Sequence, residues 1–123
     1  MEIKMLTARE IFDRAKAHLL TQNRKAKYGG RCQYRSQAPG GEVLKCAVGC
    51  FISDATYTSG IEGALVHDND IRGYLLESIL QSNGVDTNKH HGLLNALRSI
   101  HDFNPPAAWK ACLNRLEKEY FPG

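Results

Sequence analysis

Residues 31–52 read RCQYRSQAPGGEVLKCAVGCFI, and this stretch decides the fold because it joins an alternating segment to a short apolar run. The turn-forming residues Ala38-Pro39-Gly40-Gly41 separate the segments Arg31–Arg35 and Val43–Cys46. Two such segments on either side of a Pro-Gly turn are typical of a β-hairpin. We therefore expect one hairpin in this part of the chain.

The register of this hairpin is predicted from its turn. A hairpin symmetric about Pro39 pairs Tyr34 with Leu44 and Cys32 with Cys46, and because strand side chains alternate, these four residues share one apolar face. The opposite face is mainly basic and carries Arg31, Gln33, Arg35, Val43 and Lys45. We expect the apolar face to lie on a helical core, with Tyr34 as an anchor, and the basic face to point to solvent.

The run Cys46–Ile52, CAVGCFI, is the most apolar stretch of the chain. Its length fits either a buried helix or a strand. The small residues Ala47 and Gly49 indicate close packing against a neighbouring element. We favour a short buried helix that ends near Ser53-Asp54, followed by an irregular connection from Ala55 to Gly63.

Apolar residues at helical spacing predict four longer helices around this segment. The first helix runs from about Ala8 to Gln22, with a capping box formed by Thr7 and Glu10 at its start. The polar residues from Asn23 to Gly30, which end in Gly29-Gly30, predict a loop after it. The second begins at a cap residue, Asp68 or Asn69, and ends near Ser82, before Asn83-Gly84.

The third helix is capped by Asp86 or Thr87, and the fourth starts at Asn104-Pro105 with a proline near its first position. Short connections between the helices imply an up-and-down arrangement. The predicted class is mainly α (α+β): a small helical domain with one β-hairpin inserted after the first helix. The predicted core comprises Phe12, Leu19, Val48, Phe51, Ile52, Leu75, Ile79, Leu97, Trp109, Leu113 and Leu116.

Length and composition predict a single globular domain over residues 1–123. Hydrophobic residues make up 42% of the chain and charged residues 24%, which argues against a disordered chain. No apolar run reaches the roughly 18 residues of a membrane span, and the N-terminus lacks the apolar core of a secretory signal. We therefore expect a cytoplasmic protein that has no membrane partner. The net charge of +3 is well below that of a dedicated nucleic-acid binder.

The central stretch also contains a recognisable motif. It reads Lys45-Cys46-Ala47-Val48-Gly49-Cys50-Phe51-Ile52-x-Asp54, preceded by Gly30-x-Cys32-x-Tyr34-Arg35 and followed by Tyr57 and Glu62-Gly63. With its Cys-Ala-Val-Gly-Cys-x-Ile-x-Asp core, the chain resembles a family of short, uncharacterised proteins of bacteria and their phages. Weaker matches at Phe12-Asp13, Leu19-Leu20, Leu97-x-x-Ile100-His101-Asp102 and Trp109 extend the resemblance over most of the chain. It implies a phage or prophage origin and a protein that binds a component of the host; it implies no reaction, cofactor or catalytic residue.

Basic residues are concentrated between Asn23 and Ser36, where no acidic residue occurs. Arginine and lysine supply charge-assisted hydrogen bonds to anions, and an interleaved aromatic ring supplies a stacking face. The segment therefore predicts an anion-binding site formed by Lys25, Lys27, Tyr28, Arg31, Arg35 and, from the paired strand, Lys45. The alternative is a solvated loop and strand face, which is what runs of charge commonly are.

The four cysteines, Cys32, Cys46, Cys50 and Cys112, include no Cys-x-x-Cys pair. In a reducing cytoplasm we expect buried free thiols, and neither a metal nor another cofactor. Two alternatives remain open. One is a zinc site formed by Cys32, Cys46 and Cys50 together with a histidine; the other is a disulfide.

Acidic residues and histidines offer weaker candidates for chemistry. His67, Asp68 and Asp70 lie close enough to form a metal site or an acid–base pair, although Asp68 and Asn69 are also explained as helix caps. His101 is expected to be a structural histidine at the edge of the core. Asp54 and Glu62 form a possible carboxylate pair, for which two acids in a loop are weak evidence.

Three functions follow. The first is a small non-catalytic binding protein, with the phage origin that the resemblance implies, which engages a host protein or an anionic small molecule such as a nucleotide through the basic hairpin face. The second is a nucleic-acid-binding accessory domain. The third is a small enzyme that uses Cys32 or the His67–Asp70 group, which the lack of standard catalytic motifs disfavours. The sequence leaves the oligomeric state open.

Overall fold

The computed structural model describes residues 4–65 and 70–122. They form four helices, α1 (Ala8–Gln22), α2 (Ile71–Ser82), α3 (His91–Phe103) and α4 (Pro106–Tyr120). Four short strands, β1 (Lys27–Tyr28), β2 (Arg31–Cys32), β3 (Arg35–Gln37) and β4 (Val43–Lys45), form two antiparallel hairpins. The mainly α, α+β class is confirmed, with two hairpins between α1 and the next segment where one was expected. Within the described ranges, no helix has both the length and the apolar composition of a membrane span.

Local sequence signals determine where the helices begin and end. The predicted bounds of α1 are confirmed, and its capping box is complete: the Thr7 hydroxyl accepts the Glu10 N–H, and the Glu10 carboxylate accepts the Thr7 N–H. Helix α2 is capped by Asp70, which accepts the Gly73 N–H at 2.8 Å, and not by Asp68 or Asn69, which lie outside the described residues.

Asp86, one of the two residues expected to cap α3, caps a separate turn that precedes the helix. Asp86 accepts the N–H groups of Asn88 and Lys89, so the α-helix itself begins only at His91. Neither Asp86 nor Thr87 is its N-cap, because a full turn of chain intervenes. Helix α4 begins slightly later than predicted: Pro105 is its N-cap, and Pro106 occupies its first position.

The core is formed mainly by the helices and the segment 46–52. Trp109, Leu113 and Phe12 are fully buried, and ten of the eleven predicted core residues are buried. The exception is Leu75, which is 39% exposed, so its prediction as core is wrong. On α2 the buried side chains are Leu76, Ile79 and Leu80, which places Leu75 at the edge of the apolar stripe.

The single predicted hairpin is divided in two because the strand 31–35 is interrupted. Arg31 and Cys32 pair with β1, so that Cys32 lies opposite Lys27 and not opposite Cys46. The connecting residues Gly29 and Gly30 have φ angles of +58° and +80°, the left-handed conformation required at both positions of a tight type I′ turn. The glycine pair that was expected to lie in a loop therefore closes a hairpin of its own.

The second hairpin, β3–β4, has a register two residues away from the predicted one. Ser36 lies opposite Leu44, because the turn is centred on Gly40 and not on Pro39. The turn includes Gly41 at φ +89°, as in a three-residue loop that ends in a left-handed residue. A shift of two residues keeps every side chain on its face. Tyr34 is accordingly buried, as predicted, and its backbone carbonyl accepts the Cys46 N–H.

The apolar run 46–52 is buried, as predicted, but its helix is a single 3-10 turn at Gly49–Phe51. Gly49 lies directly against the backbone of Tyr34: a Cβ on Gly49 would stand 1.9 Å from the Tyr34 carbonyl oxygen. Only glycine allows this contact, and it holds the turn against the start of the second hairpin.

The outer edge of β4 is covered by a side chain of α1. The Gln22 amide oxygen accepts the Lys45 N–H at 2.8 Å, and its amide nitrogen donates to the Lys45 carbonyl at 2.9 Å. The His18 ring nitrogen Nε2 lies 2.7 Å from the same carbonyl. These bonds fix the second hairpin to the C-terminal end of α1.

Candidate functional site

The structure places the six predicted anion-binding residues in two groups, and Lys25 lies apart from both. Lys27, Tyr28 and Arg31 lie at the exposed end of the first hairpin. Arg35 and Lys45 are a cross-strand pair of the second hairpin and are half-buried. The continuous basic strand face expected from Arg31 to Arg35 is absent from the described residues, because the strand breaks between the two hairpins.

The end of the first hairpin, which we call the hairpin tip (residues 27–31), is solvent-exposed throughout. Tyr28 and Arg31 are direct cross-strand partners, so their side chains stand side by side on one face. The Tyr28 side chain is 76% exposed. Neither Lys27 nor Arg31 has an ion pair with any residue that the structure describes. The tip therefore presents two unpaired cations and an aromatic ring to solvent.

Arg35 is held by the fold. Its guanidinium lies 2.9 Å from Asp54 Oδ1, donates to the Ile52 carbonyl at 3.3 Å, and stacks over Tyr57 with 4.4 Å between its Cζ atom and the ring centroid. Lys45 Nζ lies 4.0 Å from the same Asp54 oxygen. An anion at this place would compete with Asp54, so these two cations are less accessible than those of the tip.

The remaining basic residues of the segment also have internal partners. Lys25 is half-buried and donates from Nζ to the Asp102 carbonyl at 3.1 Å. Arg24 pairs with the Glu42 carboxylate on the second hairpin. Both side chains tie the loop after α1 to other elements.

A second cluster joins residues that are far apart in the sequence. The Cys32 Sγ atom, a His101 ring nitrogen and an Asp102 carboxylate oxygen lie within 4.8 Å of one another. The adjoining cleft, lined by Cys32, Tyr34, Arg98 and Asp102 among others, encloses about 20 Å³. That is room for about one water molecule, so the cleft is too small for an organic substrate.

His101 is a structural histidine, as expected. It is fully buried, stacks on Trp109, and uses both ring nitrogens: Nδ1 lies 2.7 Å from Asp102 Oδ1, and Nε2 accepts the Ala26 N–H at 3.0 Å. Because Nε2 accepts, the proton must sit on Nδ1 and point at Asp102. A metal bound at Nδ1 would move the proton to Nε2, where it would face the Ala26 N–H. This geometry also leaves no free nitrogen to act as a base toward Cys32.

Asp102 is the charged member of the cluster. Burial disfavours its ionised form, but the His101 hydrogen bond and the charge of Arg98 outweigh burial and lower the pKa of Asp102. The Cys32 thiol lies beside this carboxylate, and burial together with the Asp102 charge raises the pKa of Cys32. The raised pKa keeps the thiol protonated, which makes it a poor nucleophile.

Of the other cysteines, which were all expected to be buried, Cys46 is buried, whereas Cys50 and Cys112 are partly exposed. Burial raises the pKa of Cys46 and of Cys50 to about 12. All four cysteines are free, so the disulfide alternative is not realised. Among the described residues, Cys32, Cys46 and Cys50 do not converge on a common metal position.

The acidic candidates have structural roles where the structure describes them. Glu62 accepts the backbone N–H groups of Tyr34 and Arg35, at 2.8 and 3.1 Å, and the Tyr57 hydroxyl at 2.7 Å. It thus supplies acceptors at the point where the strand is interrupted. Burial and this contact raise the pKa of Tyr57 to about 12. His67 and Asp68 lie outside the described residues, and Asp70 caps α2.

Comparison of the chain with protein-family models, with curated proteins and with solved structures gives no match. The function of the site therefore has to be inferred from its own geometry. The hairpin tip and the Cys32–His101–Asp102 cluster are the two places to consider, and their chemistry differs: the tip is open and cationic, whereas the cluster is closed and saturated with internal hydrogen bonds.

Proposed function

We propose that this protein is a non-catalytic binding protein that engages an acidic surface of a partner protein through the hairpin tip. The observation that carries the proposal is the cross-strand pair of Tyr28 and Arg31, exposed side by side and without an acidic partner in the described residues. Lys27, which pairs with Cys32, adds a second exposed cation on the opposite face of the hairpin. The resemblance to short bacterial and phage proteins is the reason to search for this partner among bacterial host proteins.

The residue types of the tip suit a protein interface. Tyrosine and arginine are enriched among the residues that dominate binding energy, because each combines a large contact area with directed polar groups. The tight Gly29-Gly30 turn holds both residues on a hairpin, which reduces the entropy lost on binding. The two unpaired cations supply electrostatic complementarity to a carboxylate-rich surface.

The shape of the tip favours a macromolecule over a nucleotide. Small molecules are usually bound in concave pockets that cover most of their surface, whereas residues 27–31 are all exposed. A protruding hairpin instead fits a depression on a larger partner. Support for a non-catalytic role comes from the cluster around His101, whose two ring nitrogens are both engaged in internal hydrogen bonds and whose neighbouring thiol has a raised pKa.

Single-stranded nucleic acid is a second candidate, favoured by the exposed ring of Tyr28 beside a guanidinium, on which a base can stack. The small number of cations at the tip argues for the protein partner, since proteins that follow a phosphate backbone typically neutralise about 6–10 phosphates. The two candidates differ in their dependence on salt, which is steep for nucleic acid.

The test compares two variants that lose the same charge. Lys27→Gln/Arg31→Gln removes both cations of the tip, and Lys110→Gln/Lys118→Gln removes two exposed lysines of α4 as the matched control. Bacterial proteins retained on the immobilised parent would be identified, purified and titrated against parent, tip variant and control. A fluorescent oligothymidylate would be titrated in parallel over a range of salt concentrations.

We expect the purified partner to bind the parent and the control equally and the tip variant at least about tenfold more weakly, because hydrogen bonds to charged groups contribute about 1.5–3 kcal/mol each. Equal affinity of the tip variant and the control would contradict the proposed site. Salt-dependent binding of the oligonucleotide that is lost only in the tip variant would favour the nucleic-acid candidate.

A further inference from the structure

Two cations face each other on the second hairpin. Arg35 and Lys45 are direct cross-strand partners of β3 and β4, so their side chains project from the same face of the sheet. Like charges at directly opposite positions destabilise a pair of strands. An anion beside the two side chains removes this penalty, and the pair is therefore a place where an anion is stabilised.

Asp54 supplies only part of the negative charge at this place. Its Oδ1 atom lies 2.9 Å from Arg35 Nη2 but 4.0 Å from Lys45 Nζ, and its carboxylate has no other ion pair with the described residues. The Asp54 side chain is 88% exposed, whereas those of Arg35 and Lys45 are 17% and 26% exposed. The fold thus holds the two cations, and the acid reaches them from the solvent side.

The guanidinium of Arg35 is fixed in place but not fully used. Its hydrogen bond to the Ile52 carbonyl and its stacking on the Tyr57 ring determine its orientation. Its Nε atom is buried and has no hydrogen-bond partner among the described residues. A guanidinium can bind an oxyanion through two parallel N–H···O bonds. Asp54 pairs with Nη2 and leaves the neighbouring Nε–H without an acceptor.

Glu62 also lies close to Arg35 but is engaged elsewhere. Its carboxylate accepts the backbone N–H groups of Tyr34 and Arg35 and the Tyr57 hydroxyl. Among the described residues, the ion pair of the Arg35 guanidinium is with Asp54 and not with Glu62. Two cations are therefore paired with the single carboxylate of Asp54. A ligand that carries two negative charges balances these cations better than Asp54 does alone.

We propose that Arg35 and Lys45 form a binding site for a phosphate group, as the free ion or as a monoester, and that this phosphate displaces Asp54. A phosphate group near neutral pH carries close to two negative charges and has three strong acceptor oxygens. Two oxygens accept from Nε and Nη2 of Arg35, and a third faces Lys45 Nζ. The phosphate thereby satisfies the buried Nε–H and neutralises both cations. The site shares no residue with the hairpin tip and is independent of the proposed function.

The experiment compares two variants that each remove the acid of an arginine–carboxylate pair. Asp54→Asn releases Arg35, whereas Glu42→Gln, the matched control, releases Arg24. Both acids are exposed, so both variants should fold, which circular dichroism verifies. Inorganic phosphate is titrated into the isotope-labelled full chain at mildly alkaline pH, and the Arg35 Nε–H resonance is followed by NMR. The ionic strength is held constant, because salt screens charges at the surface.

We expect Asp54→Asn to bind phosphate at least about fivefold more tightly than the parent, because a competitor and a repelling charge are removed. Glu42→Gln should bind phosphate like the parent. Adding Arg35→Lys to the Asp54→Asn variant keeps the positive charge but removes the pair of parallel donors, and it should abolish the gain. Acetate, which carries one charge, should bind to Asp54→Asn more weakly than phosphate does.

Three results would overturn the proposal: equal affinities of Asp54→Asn and Glu42→Gln for phosphate, a gain that persists after Arg35→Lys, or acetate binding as tight as phosphate binding. A short phosphoserine peptide distinguishes the two sources of the phosphate. Tighter binding of the peptide than of the free ion assigns the site to a monoester, and weaker binding assigns it to the free ion. The Lys27→Gln/Arg31→Gln variant should keep this phosphate binding, so a failure here and a failure of the proposed function are distinguishable.

Discussion

The carbonyl oxygen of Tyr34 lies so close to Gly49 that a Cβ atom on residue 49 would stand only 1.9 Å from it. This contact brings the turn at Gly49–Phe51 against the start of the second hairpin, where Cys46 also donates to the same carbonyl. A side chain at position 49 therefore forces two backbone segments apart.

We expect Gly49→Ala to lower the free energy of unfolding by about 3 kcal/mol or more, at the upper end of the usual cost of overpacking, because backbone and not a side-chain end must move. Urea unfolding measures the effect. Gly60→Ala is the control, since a Cβ at that position meets its nearest atom at 3.6 Å, an ordinary contact. Similar stabilities for the two variants would show that the Tyr34 contact is looser than described.

Glu62 joins the interrupted strand to the loop that follows the apolar run. Glu62→Ala leaves the N–H groups of Tyr34 and Arg35 without their acceptor, and we expect a loss of about 2 kcal/mol or more, since each unsatisfied buried group costs about 1–3 kcal/mol. Tyr57→Phe removes only the hydroxyl donor and should cost about 1 kcal/mol. Thermal unfolding of both variants checks the order; a Tyr57→Phe variant that is the less stable of the two would contradict it.

Arg31 and Arg35 should respond differently to the same substitution. Arg31→Ser should leave the melting temperature close to that of the parent, because the side chain is exposed and has no ion pair with a described residue. Arg35→Ser removes the contacts to Asp54, Ile52 and Tyr57 and should cost about 1 kcal/mol or more. Equal melting temperatures of the two variants would mean that Arg35 is as free as Arg31.

His18 makes stability depend on pH near neutrality. Burial lowers the pKa of His18 below its usual 6.5, although the hydrogen bond to the Lys45 carbonyl opposes this. Below pH 6.5 the unfolded chain therefore binds a proton at His18 more readily than the folded chain does. The contribution of neutral His18 to the free energy of unfolding is thus fully present above pH 6.5 and is lost as the pH falls toward the lower pKa of the folded state. Urea titrations on either side of pH 6.5 should show this decline in the parent and a flatter profile in His18→Gln. The same flattening in His91→Gln, at an exposed histidine, would assign the effect to another cause.

His101 should carry its proton on Nδ1, because Nε2 accepts the Ala26 N–H. Long-range proton–nitrogen NMR spectra distinguish the two tautomers directly. Since this arrangement blocks metal binding, we also expect a chelator to leave the melting temperature unchanged and elemental analysis to find no stoichiometric zinc. A proton on Nε2, or one zinc per chain, would contradict the assignment.

The helices could be predicted well because their signals are local. The Thr7–Glu10 capping box and the proline at the start of α4 act within one turn, and the apolar stripes determine which side is buried. The hairpins were predicted less well because their register depends on turn geometry. Gly29-Gly30 was interpreted as loop, although two glycines with positive φ close the first hairpin.

The candidate site was predictable only in part. The density of basic residues identified the segment that contains Lys27 and Arg31, but it did not show that Arg35 would form an ion pair with Asp54. The cluster around His101 had no signal in the sequence, because its contacts are long-range: Ala26 and His101 are 75 positions apart. Nothing local to either residue indicates which distant backbone group it will meet.

The Gln22 side chain has a consequence for how this protein behaves in a crowded solution. A two-stranded sheet has open edges on which another chain can add a strand, and such edges are a common start of aggregation. On β4 the amide of Gln22 already imitates the next strand, since it accepts from the N–H of Lys45 and donates to its carbonyl. A foreign strand would have to displace the Gln22 amide before it could pair with Lys45, and α1 thereby protects this edge of the sheet at Lys45.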